Sequence, residues 1–126
     1  MNTKQRIEQA ATRRFALEGY EGLSLAALAE DVGIKKASLY AHIDGKEQLF
    51  KQVVEAMAAR YDDVWKVARD ESYDAPPLER IETIVQALIR FFGEEETWML
   101  TTRMLLVPPP ELRPFIESTL GDVETE

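Results

Sequence analysis

Apolar positions recur along this chain at intervals of three and four residues, the spacing of one face of a helix, and no useful stretch alternates as a strand would. The pattern predicts a first helix from about Lys4 to Glu18, with Ile7, Ala10, Ala11 and Phe15 on one face and Gly19 ending it in the left-handed conformation. A short second helix follows Ser24, whose hydroxyl can accept an orphan backbone N–H, with Leu25, Leu28, Ala29 and Val32 along one side. Gly33 permits a sharp turn into a third short helix over about Lys36 to His42. A long fourth helix, about Lys46 to Arg69, carries the stripe Phe50, Val53, Val54, Met57, Tyr61, Val64, Trp65 and Ala68, with Asp44 or Gly45 as its cap. After the break at Pro76-Pro77, a fifth helix turns Ile81, Ile84, Val85, Leu88, Ile89 and Phe92 inward and stops at Gly93. A sixth, about Glu95 to Leu106, is apolar on more than one side. Pro108-Pro109-Pro110 ends it, and a seventh begins near Glu111 with Leu112, Phe115, Ile116 and Leu120 inward. Gly121 and the acidic Asp122–Glu126 read as a fraying end.

Composition narrows the class. With 45% hydrophobic and 30% charged residues in 126, the chain can bury a core, and the fold class is all-α. No cysteine is present, which excludes a disulfide scaffold, a thiol nucleophile and a thiolate metal site. A single histidine excludes a histidine-rich metal site, and no nucleophile elbow, phosphate loop or HExxH occurs, so neither an enzyme nor a cofactor is expected. No apolar run could span a bilayer and no signal peptide is visible, which points to a cytoplasmic protein without membrane contact.

Net charge is -8, unhelpful for binding a polyanion, but it is unevenly spread. Residues 1–60 hold nine Lys/Arg against eight Asp/Glu, whereas residues 61–126 hold six against fifteen. Salt screens charges beyond about 10 Å, so the potential at a local face outweighs the total. One such face stands out. From Ser24 to His42 the chain has helix-turn-helix organisation: Leu25, Leu28, Ala29 and Val32 pack on Ile34, Leu39 and Ile43. The opposite side displays Lys35, Lys36, Ala37, Ser38, Tyr40, Ala41 and His42, a set of small, hydroxyl and basic side chains suited to a major groove.

The stretch from Ile7 to Leu49 resembles the N-terminal domain of the TetR family of bacterial regulators. The matching positions are Ile7, Ala10-Ala11, Phe15, Gly19-Tyr20, Leu28-Ala29, Val32-Gly33-Ile34, Ser38-Leu39-Tyr40, His42, Lys46-Glu47 and Leu49. The resemblance implies a three-helix, homeodomain-like DNA-binding domain over residues 1–46. A long fourth helix joins it to a helical ligand-binding and dimerisation region over 47–126. It implies that Ser24, Lys35, Lys36, Ala37, Ser38, Tyr40, His42 and Lys46 face DNA, with Lys36 the best base reader and His42 and Lys46 on phosphates. Three positions depart from the pattern: Lys35 stands where a capping Ser/Thr is usual, Ile43 where an aromatic is common, and Gly45 where a better cap is usual.

By the same resemblance the protein is a repressor that binds a palindromic operator as a homodimer and is released by a small-molecule effector. Trp65, Phe91, Trp98, Met99 and Arg103 are candidates to line the effector pocket, although core packing is the ordinary role of such aromatics and methionines. The competing reading is a helical ligand-binding or protein-interaction module without DNA binding. Family members continue into two further helices that build the dimer interface, so the chain reads as a fragment rather than a short member dimerising through its fifth to seventh helices. In that case apolar surface on the sixth and seventh helices should lack a partner.

Overall fold

The computed structural model describes the backbone of residues 1–124 and the side chains of residues 1–120. Seven α-helices occur among the described residues: α1 Thr3–Gly22, α2 Leu25–Val32, α3 Lys36–Tyr40, α4 Lys46–Glu71, α5 Pro77–Phe92, α6 Glu95–Leu106 and α7 Arg113–Glu124. A 3-10 turn, Pro110–Leu112, leads into the last. No strand occurs among the described residues.

Local chemistry sets the helix ends. Asn2 and Gln5 form a reciprocal capping box at the start of α1, with Gln5 N donating to Asn2 Oδ1 at 2.8 Å and Asn2 N to Gln5 Oε1 at 3.0 Å. Ser24 caps α2 by accepting from Ala27 N at 3.3 Å. Lys35 at α3 and Gly45 at α4 offer no side-chain cap, as their types imply. Ser72 closes α4, its buried hydroxyl donating to the Ala68 carbonyl at 2.7 Å.

One continuous core runs through the molecule. Ile7, Ala11 and Phe15 of α1 meet Leu28, Ala29 and Val32 of α2, Leu39 of α3, and Leu49, Phe50, Val53 and Val54 of α4. Leu100 and Met104 of α6, with Leu112 and Ile116, extend it. The aromatic centre is Phe15, edge-on to Phe50 at 5.1 Å, with Tyr20 5.2 Å from Phe50.

Four expectations need correction. Gly19 interrupts the helix with a positive φ as expected, but at φ 77, ψ 174 it lies outside the left-handed helical region, and a last turn of α1 resumes to Gly22, where Tyr20 packs onto Phe15 and Phe50. The third helix stops at Tyr40, since Ala41 and His42 donate to carbonyls only three residues back and carry Ile43 into the core. Helix continues through Gly121 to Glu124, a single glycine weakening a helix without ending it; the rest of the expected fraying end, Thr125 and Glu126, lies outside the described residues.

The fourth correction concerns α5. Its inward side is Ile84, Ala87, Leu88, Phe91 and, as expected, Phe92, whereas Ile81 (59%), Val85 and Ile89 (64%) are exposed. The apolar arc is wider than α4 alone can cover. Unpartnered apolar surface therefore lies on α5 and α6, where Leu105 and Leu106 are also exposed, while Phe115, Ile116 and Leu120 of α7 pack against the core.

Candidate nucleic-acid interface

The interface begins with a turn. Gly33 adopts the left-handed conformation at φ 80, ψ 30, and its N–H donates to the Ala29 carbonyl at 2.9 Å and the Glu30 carbonyl at 3.1 Å. Ile34 N donates to the same Ala29 carbonyl at 3.0 Å. These bonds close α2 and redirect the chain into α3. Leu39 and Ile43 are then buried and Ile34 is half-buried, which rotates the remaining side chains of α3 outward. Lys35, Lys36, Ala37, Ser38, Ala41 and His42 are all exposed. Tyr40 is 49% exposed and belongs to the outer face rather than the core. His42 lies in the turn after α3, not on it.

Two of the expected DNA-facing residues also make internal contacts. The Ser24 hydroxyl is occupied as the α2 cap, although the residue is exposed. Lys46 is half-buried: its ammonium donates to the Glu21 carbonyl at 3.3 Å and stands 4.8 Å over the Tyr20 ring. Burial, with Glu47, Glu111 and Glu21 nearby, pushes the Tyr20 phenol above its ordinary pKa.

Sequence reasoning missed the clamps that hold α2 in place. Arg6 donates from Nη2 to the Val32 carbonyl at the end of α2. Arg14 donates from Nε and Nη2 to Asp31 at 2.6 and 2.8 Å, and from Nη1 to Glu18 at 2.7 Å. The two-pronged bond from Arg14 holds the Asp31 carboxyl below its usual range. Only the Arg14–Glu18 pair, four residues apart on one helix, left a signal in the sequence.

The five candidate pocket residues do not converge. A cavity of about 180 Å³ lies where α4 to α7 meet, lined by Met57, Tyr61, Phe91, Phe92, Thr101 and Leu120 among others. Phe91 is the only one of the five at its wall, packed 5.8 Å from Tyr61 and 5.0 Å from Phe92. Trp65 and Met99 are half-buried elsewhere, and Trp98 is 59% exposed. Arg103 reaches α1, donating to the carbonyls of Ala16 and Leu17 at 2.8 and 2.9 Å. Helical periodicity put these side chains on apolar faces but did not say which neighbour each face meets. No cluster of residues that could hold a metal ion, and no helix long and apolar enough to cross a membrane, occurs among the described residues.

Residues 7–53 match the model of the tetR family of bacterial regulatory proteins. The chain is 30% identical over 123 residues to the biofilm operon icaADBC HTH-type negative transcriptional regulator IcaR of Staphylococcus epidermidis, covering 97% of this chain and 63% of that protein. It is 29% identical over 121 residues to IcaR of Staphylococcus aureus strain Newman, covering 95% and 62%. It thus spans just under two thirds of the length of these curated relatives. Among solved structures, a Mesorhizobium loti protein assigned to the TetR family of transcriptional regulators superposes with a TM-score of 0.80 at 26% identity, covering 96% of this chain and 59% of that one. AibR in complex with isovaleryl coenzyme A and operator DNA shares the fold at a TM-score of 0.64 and 23% identity, covering 96% and 65%.

Proposed function

We propose that this chain, whose residues 7–53 match the tetR family of bacterial regulatory proteins, is a DNA-binding repressor whose α3 enters the major groove. The observation that carries the reading is the two-sided character of α3 and its flanks. Leu39 and Ile43 are buried, while Lys36, Ala37, Ser38, Tyr40 and His42 stand exposed together. Lys36 would donate to guanine O6 and N7, Ala37 would allow close approach, and Ser38 and Tyr40 would reach base edges or phosphates. Ser24, Lys35 and His42 would take phosphates. Lys46, on its flexible stem, would exchange the Glu21 carbonyl for a phosphate at the open end of α4.

The finer parts of the reading follow the family. Residues 1–46 form the DNA-binding domain and residues 47–126 the effector and dimerisation region. A homodimer sets two α3 helices about 34 Å apart on a palindromic operator. The IcaR relatives are negative regulators, which favours repression over activation. The cavity beside Tyr61 and Phe91 favours a small, largely apolar effector that meets the Thr101 hydroxyl. Such a protein works in the cytoplasm, where its operator is.

The test is selection of duplexes by the protein from a random-sequence pool, followed by affinity measurements across salt concentrations. Specific binding should weaken steeply as salt rises. Lys36→Ala should cost about 1–3 kcal/mol on the selected duplex and relax preference at one base position. A protein that enriches no sequence, even at low salt, does not have this function.

A further inference from the structure

We propose that Arg103 sets the angle between the helix-turn-helix module and the rest of the protein, by capping α1 from a distant helix. Carbonyls in the last turn before a break in a helix have no amide ahead of them to accept from. In α1 that break is at Gly19 (φ 77, ψ 174), and the carbonyls just before it, those of Ala16 and Leu17, are the ones Arg103 reaches. The cap therefore comes from α6, 87 residues further along the chain.

Glycine at the bend has two uses. It adopts a conformation that side-chain-bearing residues rarely do, and it leaves room for the guanidinium: a Cβ there would lie 3.0 Å from Arg103 Nη1. Bend and cap are thus fitted to each other.

The tie is directional where the surrounding contact is not. Helix α6 packs along α1 through Leu100 and Met104, and apolar packing resists separation but tolerates rotation and sliding. Two donors on one rigid planar group fix both. The other polar link between α1 and α6 among the described residues is Arg13–Glu96, 3.9 Å apart with both side chains well exposed, a geometry that orients little. Beside Arg103 lies a cavity of about 300 Å³ bounded by Phe15, Tyr20, Phe50 and the three prolines. The guanidinium has space to leave the α1 carbonyls without repacking the core. A shift of α6 would break this pair of bonds, and the module would lose its fixed angle. Arg103 is accordingly a positioning residue, not a contact to DNA or effector.

The absence of cysteine makes the test direct. Nitroxide labels on Glu30→Cys of α2 and Glu82→Cys of α5, both exposed positions, report the distance between the two parts by pulsed electron resonance. The otherwise unaltered chain should give one narrow distribution. Arg103→Gln should broaden it, and Arg103→Lys should give an intermediate width, because a point charge replaces the fork. Gly19→Ala, which keeps the arginine but crowds it, should also broaden the distribution and serves if Arg103→Gln fails to fold. On a duplex selected by the unaltered protein, Arg103→Gln should lose about fivefold or more in affinity while binding to random duplex is unchanged. A lowered melting temperature with the distance distribution and duplex affinity unchanged would make Arg103 a stabilising cap only and overturn the proposal. The proposal rests on the DNA-binding reading in the duplex arm alone. A broadened distribution in a chain that selects no duplex would support the role of Arg103 and sink the function proposed above.

Discussion

Replacing Gly33 by alanine isolates the cost of one backbone conformation. At φ 80, ψ 30 an alanine Cβ built on Gly33 meets nothing within 4 Å, so no side chain or carbonyl is displaced. What remains is the steric penalty of the left-handed conformation for an L-residue, about 1–2 kcal/mol. Against it stands the narrower unfolded ensemble of alanine, about 0.4–1 kcal/mol in favour of the folded state. The net loss should be about 1 kcal/mol, a fall of about 4 °C in melting temperature for a chain of this size. Gly33→Asn should lose about half as much, because asparagine tolerates this region, and the β-branched Gly33→Val should lose more than alanine. Urea unfolding followed by circular dichroism at constant m-value measures all three. Equal losses for Ala, Asn and Val, or a loss above about 3 kcal/mol for Ala, would refute the conformational account and indicate a collision that the turn does not contain.

Two further perturbations test the interface from beneath. Leu39 is fully buried on a helix of five residues, so Leu39→Ala should destabilise by about 3 kcal/mol in urea; a loss under about 1 kcal/mol would mean α3 is not anchored this way. Asp31 titrates below its ordinary value of 3.8 because of the hydrogen bonds from Arg14, so its contribution is present above about pH 4 and is lost as pH falls through the lowered value. The stability of Asp31→Asn should be lower at neutral pH and should decline less between pH 5 and 2; parallel curves for the two proteins would exclude this linkage.

The exposed face of α3 was legible because its signal is local. The spacing of Ile34, Leu39 and Ile43 decides which side of α3 is buried, and Gly33 marks the turn, all within eleven residues. The half beyond α4 was less legible. The apolar residues of α5 are helical in period, yet periodicity does not say how much of an apolar arc its neighbours cover, and Ile81, Val85 and Ile89 stayed outside. Arg103 shows the same limit for polar groups. Set among apolar residues of α6, it counted as a candidate for the effector pocket, because no feature of the sequence links it to carbonyls 86 and 87 residues earlier. The clamp from Arg14 to Asp31, spanning 17 residues, was hidden for the same reason. Gly19 was recognisable as a special position, but its role as a bend depends on Tyr20 packing on Phe50, a contact between different helices.

Helix α4 has 26 residues, a rod of about 39 Å that belongs to both ends of the molecule. Leu49, Phe50, Val53 and Val54 complete the core around α1, whereas Tyr61 meets the Phe91 and Phe92 rings of α5. A cut at residue 46 separates the proposed binding chemistry from the rest on paper, but it strips the helix-turn-helix of four buried side chains that it packs against. On the proposed DNA-binding reading, the piece exchanged to transplant specificity is therefore longer than the helix-turn-helix itself. A chimera has to carry this helix to at least Val54 from the donor, and the seam belongs inside a helix rather than in a loop.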